Sequence, residues 1–197
     1  VDKFNLKDVT LACIDCRNPL STVKAFEHTL ELCEFPYVKL FTNIKTFPVP
    51  GVEIVQSSVK SFEEYSRFCV FDLAACVDTS HCLIIQHDGF VVNPKAWTDE
   101  FLNYDYIGAP WAHIENKVGN GGFSLRSKKL LVAGRSLKVN NYNPEDRLIC
   151  IDRWPHFAGQ GCSKAPYELA TRFSCENMAY TGSFGFHGNQ TMETIKL

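Results

Sequence analysis

The sequence predicts one α/β domain with a central, mainly parallel mixed sheet flanked by helices. Three observations carry that prediction. Short apolar runs alternate with helical patterns as far as Ile85. Hydrophobic residues make up 45% of the 197, enough for a sizeable single core. The run Leu83-Ile84-Ile85-Gln86-His87-Asp88-Gly89 reads as a buried strand that ends in a carboxylate and then a glycine.

Val9 to Ile14 is an apolar run after Lys7-Asp8, and Asn18-Pro19 closes it, so it reads as a first buried strand. Thr22 to Cys33 places Val23, Phe26, Leu30 and Cys33 on one helical stripe. Val38 to Thr42 and Val52 to Val55 are two further strands, the second behind Pro48, Pro50 and Gly51. Ser61 with Glu64 three residues on forms a capping-box pattern, which opens a helix through Val77. That helix feeds the strand Cys82 to Ile85, whose end delivers Asp88. In a βαβ series ligands gather beyond the carboxyl ends of the strands, and Asp88 stands there. After Asn93-Pro94 come Trp97, Phe101, Tyr104, Tyr106 and Trp111, an aromatic density that suits a core or a surface stacking sugar rings. Gly119 to Ser127 then reads as a glycine-rich turn before a strand and helix.

Twenty basic against 22 acidic side chains, a formal charge of −2, supply no global field to gather nucleic acid. No apolar run approaches the length of a membrane span, and the start lacks the layout of a signal peptide. Nine cysteines, an odd count set mostly in apolar runs, read as buried free thiols of a reducing, cytoplasmic compartment. Cys13-Ile14-Asp15-Cys16 has CxxC spacing, but no second pair with metal-site spacing follows. Asn189-Gln190-Thr191 is formally a glycosylation acceptor, idle in the cytosol.

Gln86-His87-Asp88-Gly89, Tyr104 to Trp111, Gly119 to Ser127, Pro144-Glu145-Asp146 and Gly185-Phe186-His187-Gly188 occur in one order. This set resembles a family of GT-A-type glycosyltransferases, most of whose members are catalogued only as a domain of unknown function. The resemblance implies a GT-A-like fold, with a nucleotide-binding half over 1–90 and a donor-sugar and acceptor half over 91–197. It implies a transferase moving a sugar from a nucleoside diphosphate, UDP in the first instance, to a hydroxyl of a glycan or glycoprotein acceptor. A further similarity, to algal-virus enzymes that build capsid glycans, implies a piece of a larger multidomain chain working in a host cytoplasm.

Such enzymes hold Mn²⁺ or Mg²⁺ on an Asp-x-Asp motif after a strand. Here the slot reads Gln86-His87-Asp88, so one carboxylate is present. Asp88 is the expected ligand from that slot, and His187 the expected ligand from the C-terminal loop; an imidazole favours Mn²⁺. Asp146 is the expected base for an inverting transfer, and Glu145 the expected hydrogen-bond partner of sugar hydroxyls. Asp15 and Arg17 after the first strand, with Thr42 after the next, are expected to border base and ribose. His87 is placed with the donor. Asp78 is expected at the ribose or capping the preceding helix, and Arg67 at the diphosphate or in solvent. Gly121 and Gly122 would let the backbone approach the donor, because no Cβ intervenes. Arg126 would clamp a phosphate or start a solvated helix, while Trp111 and Phe123 would stack on acceptor or sugar. Two other readings use the same residues: a non-catalytic carbohydrate-binding module, favoured by the missing first acid, and a metal-dependent nucleotide-sugar hydrolase.

Overall fold

The computed structural model describes residues 3–45, 48–111 and 117–195. The amino-terminal part alternates as expected: β1 (Phe4–Asn5), β2 (Val9–Ile14), α1 (Pro19–Leu32), β3 (Cys33–Glu34), β4 (Tyr37–Thr42), β5 (Glu53–Gln56), α2 (Phe62–Arg67) and β6 (His81–Ile84). It continues through β7 (Tyr106–Gly108), β8 (Ser124–Ser127), α3 (Lys128–Gly134), α4 (Glu145–Arg147), α5 (Trp154–Gly159), α6 (Tyr167–Phe173), β9 (Ser174–Glu176), β10 (Gly185–His187) and α7 (Asn189–Met192). Six strands form the main sheet in the order β5-β4-β2-β6-β8-β7. The first four run parallel, and β8 enters antiparallel between β6 and β7. Strands from before and after residue 90 therefore share one sheet. A two-stranded parallel pair, β9 with β10, sets His187 opposite Glu176 in register.

Every residue of β2 and β6 is buried, which is why both read as largely apolar runs, with Thr10 and His81 the polar members. Pro19 does not merely close the first strand. It opens α1, where its missing N–H costs nothing and its φ is already helical. The buried face of α1 is Thr22, Ala25, Phe26 and Thr29; of the expected stripe, Phe26 and Cys33 lie in the core and Leu30 packs against it, while Thr22 also turns inward to donate to Asp15. Ser61 and Glu64 make the reciprocal capping box, and the helical path runs on through a π turn at 68–72 and a 3₁₀ turn at 73–76. An apolar cluster that includes Phe90, Phe101, Phe123, Phe173, Phe184 and Phe186 fills one side of the sheet. No helix among the described residues is long and apolar enough to cross a membrane.

Candidate active site

The carboxyl ends of β2 and β6 open on a cleft of about 630 Å³. Asp15 organises its wall. One carboxylate oxygen accepts the N–H groups of Arg17 and Asn18, each at 2.9 Å, and the other accepts the Thr22 hydroxyl at 2.5 Å. Arg17 and His87 line the same cleft, with half of the His87 side chain in solvent. Phe62, 59% exposed at the start of α2, lies parallel to the Tyr65 ring at 5.8 Å on the cleft's far side.

A smaller cavity of about 260 Å³ adjoins it, sharing Phe62, Tyr65 and Gln86. Here the chain turns back at Gln86–Gly89, and the Gly89 N–H returns to the Gln86 carbonyl at 3.1 Å. A Cβ on Gly89 would meet the His187 ring at 2.9 Å, and one on Gly122 would fall inside that ring. The imidazole thus occupies space that a side chain at either glycine would need. Its Nε2 faces Gln86 Oε1 at 3.2 Å and Asp88 Oδ1 at 3.6 Å. Its Nδ1 faces Glu176 Oε1 at 3.0 Å and the Asn120 amide at 3.0 Å. The Gln86 amide is itself held by donating to the Tyr65 hydroxyl at 2.9 Å. Burial would pull the His187 pKa down, but the hydrogen bond it donates to Glu176 and the charges of Asp88, Glu176 and Asp146 outweigh it and raise it above its ordinary value. Asp88 Oδ1 is buried with no hydrogen-bond partner, a costly state for a carboxylate oxygen.

On the opposite wall Asp146 Oδ2 accepts the Gly121 N–H at 3.1 Å, and Oδ1 accepts the Arg147 N–H at 2.7 Å. Pro144 is the N-cap residue of this short helix, and Glu145 and Asp146 stand in its first turn. Glu145 points inward and departs from its expected role. Its Oε1 takes Arg126 Nη2 at 2.9 Å, with side-chain exposures of 4% and 0%. Arg126 is therefore neither a phosphate clamp nor the solvated start of a helix.

Other expectations are corrected by position. Thr42 is buried and its hydroxyl accepts the Ile44 N–H at 3.1 Å, outside the cleft lining. Arg67 pairs with Asp72 at 2.6 Å and lies over the Phe71 ring, away from the cleft. Asp78 precedes β6 at its amino end, opposite the site, and pairs with Lys39 at 3.7 Å. Gly121 and Gly122 line the small cavity, yet the space beside their α-carbons is filled by Glu145 and His187. Phe123 is fully buried against Phe173 and Phe184, so it cannot stack on a ligand. Trp111 does border the small cavity, with Gly119 lying flat against its indole. Sequence reasoning overlooked Glu176, Asn120 and Tyr65. Only Tyr65 had a usable signal, since the capping box at Ser61 aims the first turn of α2 at the strand ends.

Residues 51–187 match the family described as "Protein of unknown function (DUF5672)", which spans the turn at Asp88, the glycine loop, the Glu145-Asp146 pair and His187. The chain belongs to this family. Its DUF5672 region leaves β1 to β4 outside the match. No curated protein matches the chain. Among solved structures it is similar to a glycosyltransferase involved in the glycosylation of the major capsid of PBCV-1, at 14% identity and a TM-score of 0.57 over 94% of this chain and 96% of that one. The galactosyltransferase LgtC, in complex with donor and acceptor sugar analogs, follows at 12% identity and 0.49 over 90% and 86%. This DUF5672 chain therefore has a GT-A-like glycosyltransferase fold.

Proposed function

We propose that the chain transfers a sugar from a nucleoside-diphosphate donor, UDP-linked in the first instance, to a hydroxyl of a glycan acceptor, with inversion. The observation that carries this reading is the convergence of Gln86 Oε1, Asp88 Oδ1 and His187 Nε2 beside a cleft at the strand ends. A buried carboxylate oxygen with no hydrogen bond, 3.6 and 3.7 Å from the His187 and His87 rings, and a ring nitrogen facing two oxygens both favour positive charge between them. Asp88 and His187, with the neutral Gln86 oxygen, fit one side of a Mn²⁺ or Mg²⁺ ion whose remaining sites a diphosphate would fill. When bound, that ion stabilises the charge developing on the leaving diphosphate.

The larger cleft suits the nucleoside, with Phe62 and Tyr65 as aromatic surface and Asp15 and Arg17 at its rim. Asp146, partly exposed on the wall of the small cavity, takes the acceptor hydroxyl proton. The Gly121 N–H on its Oδ2 fixes the carboxylate's direction. Glu145 holds that turn in place through Arg126 and does not touch substrate.

A second reading, a carbohydrate-binding module without catalysis, is favoured by one observation. Among the described residues no group of three or more His, Cys, Asp or Glu side chains could hold a metal ion. Calorimetry with nucleoside diphosphates, with and without Mn²⁺, separates the two. A transferase binds one of them selectively and more tightly with Mn²⁺, and Asp88→Ala removes the metal enhancement. No nucleotide binding in either condition would leave the module as the function. Release of sugar to water without acceptor would identify a hydrolase instead.

A further inference from the structure

A second groove, of about 650 Å³, lies on the far side of Trp111 and Glu176, which it shares with the small cavity. We infer that this groove binds the acceptor as an oligosaccharide chain, with the reactive sugar at Trp111 and further residues running toward Tyr167. The inference rests on the transferase reading and adds where the acceptor lies and how long it must be. Its volume falls in the range of roughly 300 to 1,000 Å³ typical of ligand sites, well beyond what one sugar beside Asp146 would need.

The lining has the two components that sugar recognition requires: aromatic faces for C–H surfaces and polar groups for hydroxyls. Trp97 and Trp111, 9% and 8% exposed, form its aromatic floor. Tyr167 and Met178, 40% and 48% exposed, are large apolar side chains left open to solvent within this one lining. Arg172, paired with Glu100 at 3.5 Å, and Glu176, whose Oε1 is held by His187, add charged groups to the lining. The buried Ser174 hydroxyl belongs to the same lining and has no partner on the protein. Lone exposed apolar side chains need no explanation, but two facing one aromatic groove that opens on a transfer cavity do.

The test is binding of the intact chain to an immobilised glycan array carrying mono-, di- and longer saccharides of hexoses, N-acetylhexosamines and deoxyhexoses. Nucleoside-diphosphate affinity is measured on the same samples. Retention of chains of two or more residues, with their monosaccharides at least roughly tenfold weaker, is expected, the scale of one lost aromatic contact. Tyr167→Ala should weaken retention by about the same factor and leave nucleotide affinity unchanged. Thr181→Trp, at an exposed position of the rim, should block the groove and serves if the first variant folds poorly. Nucleotide binding with no glycan retained, retention indifferent to both variants, or displacement of the glycan by peptide alone would overturn the groove assignment. Glycan retention with no nucleotide binding would uphold the groove and sink the transferase.

Discussion

Substituting Glu145→Leu leaves the Arg126 guanidinium in a fully buried position with its chief partner gone. Arg126 Nε keeps the Ser124 hydroxyl at 3.1 Å, but Nη1 already has no partner and Nη2 would lose its own. An arginine cannot discharge the problem by giving up a proton. Breaking a buried pair in this way costs about 3 to 5 kcal/mol. For a chain of this length each kcal/mol lowers Tm by roughly 2 to 4 °C, so a fall of about 6 to 20 °C is expected. The reciprocal change, Arg126→Met, should cost less, because burial already pushes the Glu145 pKa up and its carboxyl can take a proton. The double variant should recover most of the loss, since a well-packed apolar pair replaces a buried ion pair at little net cost. Urea unfolding of the four proteins yields the coupling energy directly. A Glu145→Leu cost below about 1 kcal/mol, or a double variant as poor as the sum of the singles, would refute the view that this pair anchors the turn carrying Asp146. If Glu145 instead bonds a sugar hydroxyl, transfer will fall while the melting temperature stays put.

Other perturbations probe the site and its support. Gly122→Ala drives a methyl into the His187 ring, so Mn²⁺ enhancement of nucleotide binding should vanish in calorimetry, with a stability loss of about 1 to 3 kcal/mol. Burial lowers the His81 pKa below its ordinary 6.5, only partly offset by the hydrogen bond to the Tyr104 carbonyl. The folded state therefore binds this proton less readily than the unfolded one. Stability from His81 is fully present above pH 6.5 and is lost as pH falls toward the depressed folded value. His81→Gln should flatten that slope in urea midpoints followed between pH about 5 and 8. Phe123→Ala should cost about 3 to 5 kcal/mol in unfolding experiments, as a core deletion does, and should not change acceptor affinity once the protein is folded.

The parts of the fold legible in the sequence are those whose signal is local. β2 and β6 are buried on both faces and so cannot hide their apolar runs, and the capping box at Ser61 announces α2 through two hydrogen bonds made within four residues. Periodicity finds Phe26, Leu30 and Cys33 on the inner side of α1 but not the buried Thr22 and Thr29, because it counts only apolar residues. Thr22 is drawn inward by a carboxylate seven positions earlier. Phe123 misled for the opposite reason: an aromatic beside glycines suggests a ligand platform. Gly185 is what lets that ring lie flat in the core, and it comes from a strand distant in sequence. Asp88 and His187 were accessible through their neighbouring glycines. Glu176 and Asn120 were not, because they reach His187 only through the β9–β10 register and the loop at 120, where Asn120 adopts a positive φ of 55°.

The neutral Gln86 in the slot of the proposed metal site then takes on a physical meaning. An Asp-x-Asp pair would set two carboxylates on the front of the site, and here Gln86 supplies an uncharged oxygen there, aimed by the Tyr65 hydroxyl. The second carboxylate has not vanished from the cluster. Glu176 stands behind the imidazole, on Nδ1, while Asp88 stands before it, on the side of Nε2. A carboxylate in that rear position orients the ring and raises the basicity of Nε2, which would make the histidine a firmer ligand in the proposed metal site. In the proposed metal site, charge absent at position 86 would be partly restored through His187. By the same logic the proton and the proposed cation would compete for one nitrogen, and the missing Cβ atoms at Gly89 and Gly122 leave the ring the room it occupies.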